Sequence, residues 1–274
     1  MNRSDLIQAI KTKKSFLCVG LDTDINKIPA VLRKEKNPIL SFNKAVIEAT
    51  SDLCVAYKPN LAFYEAYGSK GLQALEETMA IVPDDIFTIA DAKRGDIGNT
   101  AEKYAKAYFE EMGFDSVTVA PYMGVDSVSP FLNFKDKWVI LLALTSNSGS
   151  SDFQLLKMED GSKLFEQVMR KSNSWASPEQ LMFVVGATHP EKIAKIRKIA
   201  PDNFFLVPGV GAQGGDLHGI AKHGLNKDIG LLINSSRGII YAGADQSNFQ
   251  DHIRAAALKL QSEMSDILTQ NELV

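Results

Sequence analysis

Residues 86–113, IFTIADAKRGDIGNTAEKYAKAYFEEMG, contain a complete strand, turn and helix unit. The run from Ile86 to Ala90 is apolar on both faces, which suits a strand covered on both sides. It ends in charge. Side chains alternate along a strand, so the spacing predicts Asp91 and Lys93 on one side, a pleat apart, with Asp96 in the turn that follows. Two carboxylates beside one lysine keep it protonated, and like charges held a few ångströms apart repel unless the arrangement serves a purpose. Such a group can press against a substrate carboxylate and deliver a proton to the carbon it leaves behind. A salt-bridge cluster at a strand end is the plainer alternative. Beyond the charges, Asn99 with Glu102 three residues later reads as a cap before AEKYAKAYFEEM, and Gly113 as the stop.

The same unit recurs along the chain. Apolar runs start at Ser15 (SFLCVGLD), Cys54 (CVAYKPN), Ile86 (IFTIADAK), Ser116 (SVTVAPY), Trp138 (WVILLALTS), Leu181 (LMFVVGAT), Phe204 (FFLVPGVG) and Ile229 (IGLLINSSR), each followed by a helix-like segment. Eight alternations predict an α/β fold of the (β/α)8 TIM-barrel type. With 274 residues and 45% hydrophobic composition, residues 1–274 are expected to form a single barrel domain. The widest gap, Asn147 to Gln180, opens with the polar stretch NSGSSDF and is expected to carry a mobile loop at the carboxyl end of the fifth strand.

Composition removes several classes of function. A net charge of −3 with no basic run argues against nucleic acid. Trp138 to Leu144, the longest wholly apolar run, is too short for a bilayer, and MNRSDLIQAI lacks a signal peptide's apolar core, so no membrane association and a cytoplasmic location are expected. Cys18 and Cys54 read as free buried thiols. His189, His218, His223 and His252 show no ligand spacing, and no metal site is expected.

In a barrel of this type the active site lies at the carboxyl ends of the strands. Those ends carry Asp22, Lys58, Asp91 with Lys93, Ser146, the turn PGVGAQGG and Arg237. Charges that close runs with apolar bodies need a substrate or a paired network. Gly209, Gly211 and Gly214 satisfy the dinucleotide fingerprint, yet the acidic residue expected about twenty positions on is missing, since that region reads INSSR. The glycines and Ser235-Ser236-Arg237-Gly238 instead match a phosphate site after strands seven and eight, with Arg237 adding a forked contact. Plain tight turns are the other reading of these glycines.

Taken together, Asp91-Lys93-Asp96-Ile97 in the pattern DxKxxDI, the GLD ending in Asp22, YKPN with Lys58, PGVGAQGGD and NSSRGI resemble the orotidine 5′-phosphate decarboxylase family, over essentially the whole chain. AYKPN and DAKRGDIG look most like its longer-chain bacterial branch. Decarboxylases of the 3-keto-gulonate 6-phosphate type resemble it at DxKxxD, but they hold magnesium with a carboxylate at the end of strand two, where this chain has Lys58. The resemblance implies decarboxylation of orotidine 5′-phosphate to uridine 5′-phosphate in pyrimidine biosynthesis, with no metal, flavin or pyridoxal cofactor. It implies Lys93 as proton donor, Asp91 against the reacting carboxylate, and Lys58 and Asp96 completing a charge array. Asp22 and Thr100 would contact ribose, Ser146 the pyrimidine, Gln213 both phosphate and base, and Ser236 and Arg237 the phosphate. It further implies a homodimer in which Asp96 crosses the interface. A Schiff-base aldolase using Lys58 or Lys93 is disfavoured because neighbouring aspartates raise a lysine pKa. A phosphate-binding barrel without catalysis remains the bland alternative.

Overall fold

The computed structural model describes residues 1–186, 190–209 and 216–274. Its eight strands form one closed barrel in chain order: β1 (Leu17–Gly20), β2 (Ala56–Lys58), β3 (Phe87–Arg94), β4 (Ser116–Val119), β5 (Trp138–Leu144), β6 (Leu181–Val185), β7 (Phe205–Pro208) and β8 (Leu231–Ser235). Seven lie inside their apolar runs and β3 runs one residue past its own, to Arg94, with helices between the strands as the (β/α)8 reading expects. The bodies of β1, β2, β4, β6 and β8 are buried throughout. That is what strands covered on both faces require.

Backbone pairing sets the positions of the strand ends. Cys18 pairs with Ala56 and Gly20 with Lys58, in parallel; Ala56 pairs with Phe87. The β5–β6 register shifts between Leu142 and Leu144, an irregularity that re-aims the chain just before Thr145 and Ser146.

The described residues divide into two compact units. One comprises Ser4–Ala92, Asn234–Glu272 and Val274, with Phe16, Phe42, Tyr57, Tyr64 and Phe87 fully buried. Its helix Pro38–Thr50 is capped by Asn37, whose side chain accepts from the Leu40 N–H at 3.2 Å, and has proline in its first turn. The other comprises Met1–Arg3, Lys93–Ile233 and Leu273, with Phe114, Phe131, Trp138, Phe183, Phe204 and Phe205 fully buried. Here the segment Asn147 to Gln180 holds a short helix at Ser150–Phe153, a Lys157 to Lys163 bridge and a helix at Leu164–Ser172.

One local expectation is corrected. The helix after β3 runs Gly98–Lys106, so Asn99 lies inside its first turn, and Ile97 caps it without a side-chain bond. Gly98, where the helix begins, takes φ +55, a conformation glycine adopts without strain. The helix passes into a π-helical turn at Ala107–Glu111. Gly113, at φ +73, ends it as expected.

Candidate active site

Lys58 closes β2 and is 4% exposed. Its Nζ donates to Asp91 Oδ2 at 2.7 Å and lies 3.9 Å from Asp22 Oδ1. Main-chain pairing sets this geometry. Leu21 N–H donates to the Lys58 carbonyl at 3.0 Å and Asp91 N–H to the Pro59 carbonyl at 3.1 Å, so the ladder continues just past β1 and β2. Burial by itself would depress the Lys58 ammonium. Asp91 and then Asp22 more than offset it, and the net direction is upward, so the site holds a fixed cation.

Asp22 Oδ1 is buried and accepts no hydrogen bond among the described residues. The Lys58 ammonium at 3.9 Å is beyond hydrogen-bond range. An unpaired buried acceptor costs about 1–3 kcal/mol, a cost that a donor from a bound molecule would offset.

Lys93 departs from the expected alternation. Its φ is +47, which costs a non-glycine residue about 1–2 kcal/mol and interrupts the pleat that would place it on one face with Asp91. Its N–H donates to the buried Thr118 Oγ1 at 2.8 Å, which holds the unusual backbone in place. In the following turn Asp96 Oδ1 accepts from the Ile97 N–H at 2.8 Å. Arg94 lies over the rings of Tyr104 and Tyr108, at 5.3 and 5.6 Å. Thr100 is exposed in the helix Gly98–Lys106.

Ser146 lines a cavity of about 200 Å³ with Thr145, Asn147, Gly186 and Lys192. The cavity wall is tied down by Gln154, whose Oε1 accepts from the Thr145 N–H at 2.8 Å. Glycine at 186 is required there, because a Cβ would stand 2.8 Å from the Ser146 nitrogen.

At the end of β8, the Asn234 amide donates to Ser236 Oγ at 3.3 Å. Ser236 packs so closely on β1 that a Cβ on Gly20 would overlap its hydroxyl. Arg237 is exposed, and among the described residues its guanidinium makes no hydrogen bond. Gly209 has φ +96. Gln213, Gly211 and Gly214 lie outside the described residues, as does His189.

Sequence reasoning missed the groups that hold the Asp22 segment. Tyr64 donates to the Leu21 carbonyl at 3.0 Å, and Thr23 donates to Asn43 Oδ1. The Asn43 amide donates to Tyr64 and Thr78. Tyr241 donates to the Asp22 carbonyl at 2.7 Å and accepts from the Asp24 N–H at 2.8 Å. A signal existed for Asn43, a polar residue within the apolar stripe Ile39, Phe42, Val46 of its helix. None existed for Tyr241.

The orotidine 5′-phosphate decarboxylase / HUMPS family model matches residues 15–251. The chain belongs to that family. An orotidine 5′-phosphate decarboxylase of Bacteroides fragilis (strain YCH46) is 57% identical over 271 residues, 98% of this chain and 98% of that one. One from Christiangramia forsetii is 58% identical over 271 residues, covering 98% and 99%. The solved OMP decarboxylase of Leishmania donovani superposes with a TM-score of 0.84 at 38% identity, over 97% of this chain and 98% of that one. Among the described residues no group of three or more His, Cys, Asp or Glu is placed to hold a metal ion, and no helix is long and apolar enough to cross a membrane. Cys18 and Cys54 are free and buried; burial pushes Cys54 up to about 12 and Cys18 further.

Proposed function

We propose that this chain decarboxylates orotidine 5′-phosphate to uridine 5′-phosphate, in the cytoplasm, as a step of pyrimidine biosynthesis. The observation that carries the reading is the buried Lys58 ammonium 2.7 Å from Asp91, at the strand-two position where the magnesium-using sugar-phosphate decarboxylases need a carboxylate. An ammonium there repels a divalent cation.

Breaking the bond between C6 and its carboxylate releases carbon dioxide and leaves the electron pair in an in-plane sp2 orbital that no carbonyl delocalises. Fixed charge must therefore stabilise it, within the roughly 8–23 kcal/mol that enzymes supply. Lys93 is the proton donor: a proton of its Nζ ammonium goes to C6, the lysine becomes a neutral amine, and water restores its proton. Asp91 stands against the reacting carboxylate, its orientation fixed by Lys58. Asp22 Oδ1, the buried acceptor without a donor among the described residues, takes a ribose hydroxyl, and Thr100 assists. Ser146 contacts the pyrimidine edge, while Gln213, Ser236 and Arg237 hold the phosphate.

The same reading makes the protein a C2 homodimer in which Asp96 completes the partner's site. Among the described residues Asp96 has no cationic partner and accepts only from Ile97 N–H. The apolar residues Ile97, Met123 and Val125 near its turn are 54%, 45% and 41% exposed. A Cβ on Gly95, beside Asp96, would lie 3.7 Å from the Met123 methyl.

Mixing the purified protein with orotidylate should remove the substrate's ultraviolet absorbance, and exhaustive chelation should leave the rate unchanged. Loss of turnover with EDTA and recovery with magnesium would transfer the chain to the metal-dependent branch. Lys93→Ala should lose at least about 10^4-fold in turnover while remaining folded. For the shared site, Lys93→Ala and Asp96→Asn subunits should rescue one another. Half the dimers are then mixed with one intact site each, so activity returns to roughly a quarter of wild type. No rescue after confirmed subunit exchange would return Asp96 to its own chain's site.

A further inference from the structure

Asp22 lies beyond the last residue of β1, and the strand ladder stops at Leu21, whose N–H reaches the Lys58 carbonyl. The peptide of Asp22 itself is held by a different device. The Tyr241 hydroxyl accepts from the Asp24 N–H at 2.8 Å, so its own hydrogen is directed to the Asp22 carbonyl at 2.7 Å. One hydroxyl thereby staples both ends of the three-residue segment that presents the carboxylate. The ring is itself fixed, stacked on Phe42 with centroids 5.8 Å apart and planes 10° from parallel. Its main-chain N–H donates to the Arg237 carbonyl at 3.3 Å, which ties the staple to the turn carrying Arg237. Burial pushes the hydroxyl up to about 12, so it keeps its proton throughout the neutral range.

We propose that Tyr241 is a positioning residue for substrate recognition: by clamping the Asp22 carbonyl and the Asp24 N–H, it aims the Asp22 carboxylate at the substrate's ribose. This rests on the ribose reading of Asp22 given above. A carboxylate that must meet one hydroxyl is sensitive to small displacements, since misplacement by about 1 Å costs up to 10^2-fold. Without the clamp the segment keeps Tyr64 at Leu21 and Asn43 at Thr23, but the Asp22 peptide is free to rotate between them.

The test is a double-mutant cycle on orotidylate turnover with Tyr241→Phe, Asp22→Asn and the pair. Phenylalanine retains the ring on Phe42, and a thermal melt checks that each variant is folded. Tyr241→Phe should lower kcat/KM about tenfold, mostly through KM, because the ribose contact contributes in ground and transition states alike. In the Asp22→Asn background the same change should have almost no further effect. A merely structural role would give the same loss in both backgrounds, and that result would overturn the proposal. Normal kinetics for Tyr241→Phe with impaired Asp22→Asn would also overturn it and leave the ribose reading standing. A silent Asp22→Asn would remove the ribose reading and this inference together.

Discussion

Arg197 and Arg237 carry the same guanidinium, and the chain treats them in opposite ways. Arg197, on the helix Pro190–Ile199, donates to the carbonyls of Gly224, Ala200, Asn203 and Gly230 at 2.6 to 3.0 Å and lies 3.7 Å from the Phe205 ring centroid. Ala200, Asn203 and Gly230 lie in the loops leading into β7 and β8, and Gly224 ends the helix Leu217–Gly224. Burial pushes it down to about 9, still well on the charged side at neutral pH. Arg237, just past the carboxyl end of β8, is exposed and without a hydrogen bond among the described residues. A guanidinium saturated by carbonyls at the amino ends of barrel strands contributes stability. One left available at a carboxyl end suits the phosphate contact proposed for Arg237.

That contrast breaks if the two arginines exchange roles under mutation. Arg197→Met leaves several buried carbonyls without a donor and should cost about 4 kcal/mol of stability. Urea unfolding should show a lower midpoint at unchanged slope, while kcat/KM per folded molecule stays within about twofold. A stable Arg197→Met protein with impaired catalysis would refute the division. Arg237→Ala should do the reverse, losing on the order of 10^2-fold in kcat/KM, or about 3 kcal/mol, with the unfolding midpoint unmoved. Free guanidinium ion should recover part of the activity. Unchanged kinetics in Arg237→Ala would remove it from the phosphate site.

The strands and the charged strand ends were legible because both follow from short-range rules. Apolar runs bounded by turns mark strands, and a charge closing such a run marks the face where the chain meets its ligand. Lys58 shows the limit of that reasoning. The sequence grouped Asp91 and Asp96 with Lys93 and gave no sign that Lys58 stands between Asp91 and Asp22. That grouping depends on the register of β1, β2 and β3, which local patterns do not encode. The left-handed backbone at Lys93 was equally hidden, because lysine gives no sign of it and the bond that holds it comes from Thr118 in β4. Asn99 misled because the Asn and Glu spacing of a cap was present, while Gly98 had already begun the helix. Tyr241 acts across more than two hundred residues of chain on Asp22, and no window of sequence joins them.

The smallest effect sharpens the contrast between Lys58 and Arg197, two buried cations with different surroundings. Carbonyls surround Arg197, and burial, helped by the Arg3 charge, pushes it down; carboxylates surround Lys58, and they prevail over burial. In the wild type the folded-state pKa of Lys58 stands above its ordinary 10.5. The stability it contributes is therefore fully present below 10.5 and lost only as pH rises through the folded value. Asp91→Asn removes the carboxylate 2.7 Å away and leaves burial opposed chiefly by Asp22 at 3.9 Å. The folded pKa should then fall below the unfolded one. The unfolded chain would bind more protons in the window beneath 10.5, and stability would rise with pH there, by up to about 1.4 kcal/mol for each unit of depression. Urea unfolding of both proteins from about pH 8 to pH 10 isolates the term, because titrations common to the two cancel in their difference. The stability of Asp91→Asn should gain on wild type as pH rises, and adding Lys58→Met should abolish the gain. Parallel curves for wild type and Asp91→Asn would mean that Asp91 does not hold the Lys58 charge, and the distinction between the two buried cations would fail.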